Sequence, residues 1–478
     1  VSTAAKAVSW SGLKRRALSL GAVKTFDHAT QFLLPVVLTR CLDAATFGEY
    51  RLVWLMVGTV MTIATLNMAG GLFFFLPPSD ARRKRLYVHQ TMLFLAASGL
   101  VCAAAAGPWN PLLPAALAPL AQYGLLVPAF VALWVAAVLL DWLPTIDERI
   151  RWQAYATGTT SLLRVALVAG AAWFSGELRV ILWMLLAFVV AKLALLLYYV
   201  HRHHGLGAPW LERAAFCRQF GHCAPFGLSN ALYSLRAQTD QWVAASLFAL
   251  SSFAAFSIAA LVGHVAHILR HSVMEAFMPT MSRMQAAGDV RGVMAMNSRA
   301  NVMVGTALYP LLAFAFAFAE DIVTVVYTAA YVEAAPVMRV YVVGMLAMVV
   351  EVGSIVLLLR QGAFALRITA LALAVSAPLS WVTAQHAGLA GAAAGSVLAI
   401  YLDRALLLRR IARHTGIALR ELQDWRALVR TLAAAAVCGL LAWFLVRQFT
   451  GAAPPMVRLA AGATALALAY VPLWRAIR

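Results

Sequence analysis

Apolar residues follow one another in blocks of about twenty along almost the whole chain, the length at which an α-helix crosses the hydrocarbon core of a bilayer. Residues 86–106 and 120–140 each run 21 positions without Asp, Glu, Lys or Arg. A membrane barrel would instead alternate polarity over about ten residues per strand. The blocks predict spans at residues 18–38, 47–68, 86–106, 120–140, 153–174, 178–200, 221–247, 253–273, 295–319, 336–358, 363–385, 389–408, 428–449 and 455–473. The expected fold is an all-α polytopic membrane protein with about 14 transmembrane helices.

Composition agrees with a lipid solvent. At 63% apolar and 12% charged, against about half and a quarter in soluble domains, the chain has more apolar surface than an aqueous fold can hide. Lys and Arg outnumber Asp and Glu by 38 to 19. In a soluble chain that surplus would suggest nucleic acid, but here it crowds into alternate loops and none is expected as a partner. Its densest markers are Arg82-Arg83-Lys84-Arg85 and the segment from Arg409 to Arg413, whereas the opposite loops carry chiefly Arg40, Arg179, Arg447 and Arg458. The positive-inside rule then puts both termini in the cytoplasm. The first sixteen residues lead into no short apolar stretch with a small-residue cleavage site, so no removable signal peptide is expected. Cys41, Cys102, Cys217, Cys223 and Cys438 have no ligand-like spacing, which argues against a disulfide framework or a metal site.

The chain repeats itself. Leu42 to Tyr50 lies over Phe248 to Phe256 at an offset of 206, with Phe47 over Phe253 and Tyr50 over Phe256. Carried forward, the third span falls on the ninth, and the fifth and sixth fall on the eleventh and twelfth. The expected organisation is a six-helix lobe over residues 1–200, a cytoplasmic linker over 201–220, a second six-helix lobe over 221–410, and a loop with two further helices over 411–478. Six is even, so the repeats are parallel and would frame a central cavity. The run His201-Arg202-His203-His204 has no Cys or carboxylate in ligand spacing and is expected to be solvated linker.

Ionisable residues inside spans are costly and face a bundle interior or a wet cavity. On the first span Lys24, Asp27 or His28, and Gln31 share a face. On the seventh, Tyr233, Arg236 and Asp240 do, with Asn230 nearby. On the eighth, His264, His267, His271 and Glu275 form a stripe beside Arg270. Arg164, Lys192, Arg299, Arg339 and Glu351 complete the set, in which cations prevail. Lys24 with Asp27 and Arg236 with Asp240 also read as self-neutralising pairs, and Lys192 and Arg299 as snorkelling side chains. Arg164 has no acid one turn away, so it must meet an acid from another helix or an anionic ligand. The His stripe reads as a polar wall or a proton relay, and a metal site is not expected there because Glu275 alone adds a carboxylate to the His faces.

A cationic cavity suits a phosphate-bearing solute. No Gly-rich phosphate loop of the GxxxxGK[ST] type occurs and no loop is long enough to bury a core, so neither ATP hydrolysis nor another enzyme activity is expected. No bound cofactor is expected, and energy would come from an H+ or Na+ gradient or from the cargo.

The opening polar helix, the Leu42 to Tyr50 loop, the run Asn67-Met68-Ala69-Gly70-Gly71 and the plan of six, six and two spans resemble the Wzx-type polysaccharide flippases. These belong to the multidrug/oligosaccharidyl-lipid/polysaccharide exporter superfamily. The resemblance implies alternating access in the bacterial inner membrane and a cargo of undecaprenyl-diphosphate-linked oligosaccharide for exopolysaccharide or O-antigen assembly. The implied partners are membrane lipid and, as candidates, a polysaccharide polymerase and chain-length proteins. The family offers no universal binding motif to map, so the site residues rest on the polar stripes. Arg164, Arg236, Arg270 and Lys24 are assigned to the diphosphate, and Tyr233, Asn230, Gln31, His264 and His267 to the sugar. Asp27, Asp240 and Glu351 are assigned to ion coupling. A multidrug or organic-cation exporter and a non-transporting scaffold of a polysaccharide synthesis complex are the alternatives.

Overall fold

The computed structural model describes residues 26, 27 and 29–477, and among them all regular structure is helical. The chain is a multi-pass membrane protein. It forms two compact units, Val1–Ser234 and Leu235–Arg478.

The first unit holds α1 (Ala29–Cys41), α2 (Ala44–Thr65), α3 (Met68–Phe75), α4 (Ala81–Ala106), α5 (Leu126–Ala137), α6 (Leu143–Ile146), α7 (Ile150–Ser175) and α8 (Leu178–His203). The division falls inside α9 (Arg213–Leu247). The second unit continues with α10 (Leu250–Ala260), α11 (Val262–Ala286), α12 (Val290–Ala317), α13 (Ala319–Val326), α14 (Ala334–Met348), α15 (Gly353–Leu358), α16 (Gly362–Thr415), α17 (Trp425–Thr450) and α18 (Pro455–Ile477). The loop acids start these helices. Asp43, Asp80, Asp289 and Asp424 each accept backbone N–H groups at the beginning of α2, α4, α12 and α17, where an anion also meets the positive end of the helix dipole.

The apolar blocks and the helices correspond with instructive departures. The second span does not end at residue 68: Leu66 and Asn67 take left-handed conformations and the chain re-enters helix as α3. The eighth continues to Ala286, beyond its apolar stretch. The fourth and tenth spans are broken, between α5 and α6 and between α14 and α15. The 54-residue α16 turns at Ala387 and Gly388, the latter at φ 61°, so it is two helices. Its arms run antiparallel: the Thr383 hydroxyl donates to the Gly391 carbonyl, and Ser376 meets Ser396. Gly395 lets the arms touch, since a Cβ there would lie 2.3 Å from the Ser380 nitrogen.

The repeat is visible in the backbone of the two units. Asp43 and Ala249, 206 residues apart, are both extended N-caps, and the aligned pairs Phe47 with Phe253 and Tyr50 with Phe256 are all buried. Asp80 and Asp289 cap α4 and α12 at an offset of 209. Past each broken span a non-glycine residue turns left-handed, Glu148 and Arg360, and the following helix pairs turn at Gly176 and Gly388, both at an offset of 212.

Packing relies on apolar side chains interleaved with small residues, as expected where lipid offers no hydrophobic gain for helix association. In the first unit Leu72, Val88, Leu95, Leu139 and Tyr199 belong to one buried cluster, and a Cβ on Gly99 would come within 2.7 Å of the Ala132 carbonyl oxygen. In the second unit Gly439 of α17 brings that helix against Ala313 of α12, and the Tyr470 hydroxyl of α18 donates to the Thr306 carbonyl.

Gly395→Val is expected to lower thermal stability in detergent by overpacking the hairpin, at a cost of about 1–3 kcal/mol. Gly158→Ala, on α7 with nothing within 4 Å of the added Cβ, should leave it unchanged or slightly raised. Comparing the unfolding temperatures of the two variants checks both.

Candidate functional site

Helix α7 carries one stripe of the polar side chains that the first unit keeps inside. Gln153, Thr157, Ser161 and Arg164 fall at intervals of four, four and three residues, which aligns them on one face. Gln153 and Ser161 are buried, and the Gln153 amide donates to the Thr157 hydroxyl at 3.0 Å. The stripe ends on Asp27 of the first helix. Its Oδ1 accepts the Ser161 hydroxyl and the Arg164 guanidinium at 3.2 Å, and its Oδ2 accepts the Gln31 amide at 2.8 Å.

Of the two partners open to Arg164, the structure thus supplies the acid from another helix. The arginine is not exhausted by it: the side chain is only 12% exposed, and its buried Nε has no hydrogen-bond partner among the described residues. Asp27 and Gln31 come together as expected, with Arg164 added. Lys24 and His28 lie outside the described residues. Asn230 and Tyr233 are exposed on α9.

In the second unit Asp240 is buried and accepts the Tyr341 hydroxyl at 2.9 Å and the backbone N–H of Gln241 at 2.8 Å. Arg236 precedes it by one turn on α9. Arg270 donates to the Met348 carbonyl at 3.4 Å, at the end of α14. His267 stacks on His271, which pairs with Glu275 at 3.0 Å. His264 lies on the same helix, α11, and its side chain is not among those described. Glu351 sits in the break of the tenth span, where its carboxylate accepts the amides of Gly353 and Ser354, the first residues of α15. Its own backbone N–H and C=O are met by Asn301, and the C=O also by Asn297. Of the remaining cations, Lys192 does not snorkel but pairs with Asp141 at 2.8 Å and lies over the Trp134 ring, and Arg339 pairs with Glu320 at 3.0 Å. Among the described residues no group of three His, Cys, Asp or Glu is placed to hold a metal ion.

The His run at the end of α8 is packed rather than solvated at His204. That ring meets Asp147 at 2.8 Å, which also accepts the Tyr199 hydroxyl at 2.7 Å. The following segment is strapped across α4. Arg85 donates to the His204 carbonyl, His89 faces the carbonyls of Gly205 and Pro209, and Trp210 stacks on the His89 ring at 4.2 Å.

The signal for Ser161 and Gln153 was present in the spacing of α7 but was overshadowed by the charge of Arg164. The Asn297 and Asn301 pair, one turn apart, gave no signal, because the backbone break it serves is not written as Gly or Pro.

Arg164→Ala is expected to strand the part-buried Asp27 carboxylate and destabilise the protein by up to about 3 kcal/mol. Arg164→Gln combined with Asp27→Asn should recover most of the loss, read from thermal unfolding in detergent. A second expectation concerns Asp147. Burial opposes its ionisation, but hydrogen bonds from His204 and Tyr199 prevail and hold the carboxyl below its usual 3.8. A depressed carboxylate contributes stability above its unfolded pKa and loses it as the pH falls through the folded value. The unfolding temperature should therefore drop below about pH 4, and less steeply in Asp147→Asn.

The geometry can be set against known proteins. A family model described as "Polysaccharide biosynthesis protein" matches residues 13–285. No curated protein matches the chain in sequence. Among solved structures, a lipid II flippase MurJ in an inward closed conformation superposes with a TM-score of 0.72 at 10% identity, covering 96% of this chain and 99% of that one. An inward-facing multidrug resistance MATE family transporter of the MOP superfamily gives 0.60 at 12% identity, covering 82% and 96%. A MOP superfamily transporter from Pyrococcus furiosus, titled for the reverse polarity of its binding pocket, gives 0.53 at 12%, covering 84% and 96%. At such identities the likeness establishes the fold alone. The sequence match spans more than half of the chain, and with it this protein belongs to the polysaccharide biosynthesis protein family, in the fold shared by MOP superfamily transporters.

Proposed function

We propose that the protein is a flippase that carries an undecaprenyl-diphosphate-linked oligosaccharide across the bacterial inner membrane by alternating access, for exopolysaccharide or O-antigen assembly. The reading is supported by the family and by the fold it shares with a lipid II flippase. The single observation that carries it is Arg164, a guanidinium held at mid-span with a buried donor unspent after its pairing with Asp27. Such a group costs free energy to bury, and an anionic cargo that enters beside it would offset that cost.

In this reading residues 1–200 and 221–410 act as the two six-helix lobes, joined by residues 201–220, and residues 411–478 add the last two helices. Both termini face the cytoplasm, because the basic loops do. Arg164, Arg236 and Arg270, with Lys24, contact the diphosphate. Gln31, Asn230, Tyr233, His264 and His267 contact sugar hydroxyls. Asp27 and Asp240 are the coupling candidates, since among the described residues each is held by hydrogen-bond donors and at most one cation, which it can exchange for a proton or Na+. Glu351 is the third, although its carboxylate already caps α15.

Complementation of a polysaccharide-producing strain that lacks its flippase tests the proposal. Wild-type protein should restore surface polysaccharide. The paired variant Arg164→Gln with Asp27→Asn should reach the membrane in normal amount yet cut export at least about tenfold, the loss expected from one charge-assisted contact. Export at the wild-type level by that variant would remove Arg164 from the cargo site. Failure of the wild-type protein with every lipid-linked oligosaccharide supplied, coupled with efflux of an organic cation dye, would favour the multidrug exporter.

A further inference from the structure

The second unit contains a slot that the transport reading does not use. It is apolar, about 440 Å³ in volume, and lies among α12, α14 and α17, with Leu312, Val343, Leu346, Ala436, Leu440 and Trp443 in its walls. A charged recess of about 490 Å³ adjoins it, with Ala317, Arg339 and Trp443 shared between the two. The recess holds Glu320, Asp321, Arg339, Arg447 and Arg458.

The two compartments have the dimensions and chemistry of one amphiphile. Along α17 the wall from Leu432 to Trp443 covers about 16 Å at 1.5 Å per residue, close to the depth of one leaflet of a hydrocarbon core about 30 Å thick. Gly439 keeps a side chain out of the slot floor, where α17 meets Ala313. Within the recess two arginines are neutralised: Arg339 pairs with Glu320 and Arg458 with Asp321, and Arg458 also donates to the carbonyls of Gly451 and Ala453. Arg447 is different. It lies over the Trp443 ring at 4.8 Å, one turn beyond the slot, and forms no ion pair among the described residues. The recess thus carries one net positive charge, at the end of an apolar channel one leaflet deep.

We propose that this is a seat for an anionic glycerophospholipid of the surrounding bilayer, with one acyl chain in the slot and its phosphodiester on Arg447. A single uncompensated guanidinium matches the single charge of a phosphodiester such as that of phosphatidylglycerol. The zwitterionic phosphatidylethanolamine brings an ammonium of its own into the recess, and a diphosphate brings more negative charge than the recess neutralises. Trp443 at the junction suits the boundary between chain and head group, where indole rings concentrate.

The test uses the full-length protein in detergent, stripped of lipid and then exposed to equimolar phosphatidylglycerol and phosphatidylethanolamine, with the bound lipid read by native mass spectrometry. Wild type should retain phosphatidylglycerol over phosphatidylethanolamine by about tenfold, as one charge-assisted contact provides. Arg447→Gln should bring that ratio close to one, and Ala436→Phe, which fills the slot from an exposed position, should reduce retention of both lipids. Equal retention by the wild type, a preference untouched in Arg447→Gln, or full retention in Ala436→Phe would each overturn the proposal. So would displacement of phosphatidylglycerol by equimolar undecaprenyl phosphate, which would assign the slot to the carrier lipid. None of these readings requires export, so the outcome is separate from that of the complementation assay.

Discussion

In hydrocarbon no solvent molecule can accept or donate a hydrogen bond, so every polar group inside the spans must be answered by another part of the chain. Much of the polar sequence of this protein is that answer. The backbone of the broken tenth span is met by Asn297 and Asn301, and its restart is capped by the side chain of Glu351. Lys192 meets Asp141 from the break of the fourth span. The carboxylate of Asp27 is met on both oxygens, by Ser161, Arg164 and Gln31. Each arrangement removes a penalty larger than the net gain of an ordinary hydrogen bond.

The same constraint separates what could be read in the sequence from what could not. The helices were legible because lipid selects long apolar blocks, and the hairpin of α16 was legible as two blocks parted by Gly388. The repeat was legible at Phe47 and Phe253, where both copies bury an aromatic ring. The breaks in the fourth and tenth spans were not, because a single acid marks each, Asp141 or Glu351, and the polar partners that sustain them lie elsewhere in the chain. The continuation of the eighth span through Ala286 was missed for the opposite reason: α11 stays helical after its sequence has turned polar.

The candidate site was half legible. Mid-span charge singled out Arg164 and Asp240, but a charge in the sequence does not state its partner. Spacing along one helix suggests Lys24, outside the described residues, as a partner for Asp27, but it gives no sign of Arg164, which the fold brings to that carboxylate from well over a hundred residues away. Local spacing captures pairs within a helix, and most of the ion pairs among the described residues join different elements of the fold.

Gly388 and Gly176 turn the last helix pair of each repeat at an offset of 212, and Gly416 and Gly205 end those pairs at 211. The first caps differ by 206 and the second by 209. Most of the difference in length between the two copies therefore arises before the closing helix pair, across which the offset changes by a single residue. The difference has a mechanical origin. An extra residue in a loop is absorbed by the loop, but within a helix it rotates all that follows by about 100°. In the α16 hairpin that rotation would carry Gly395 away from Ser380 and replace it with a side chain that has no room. A connection can therefore take up an added residue at little cost, whereas the arm of the hairpin that holds Gly395 against Ser380 cannot.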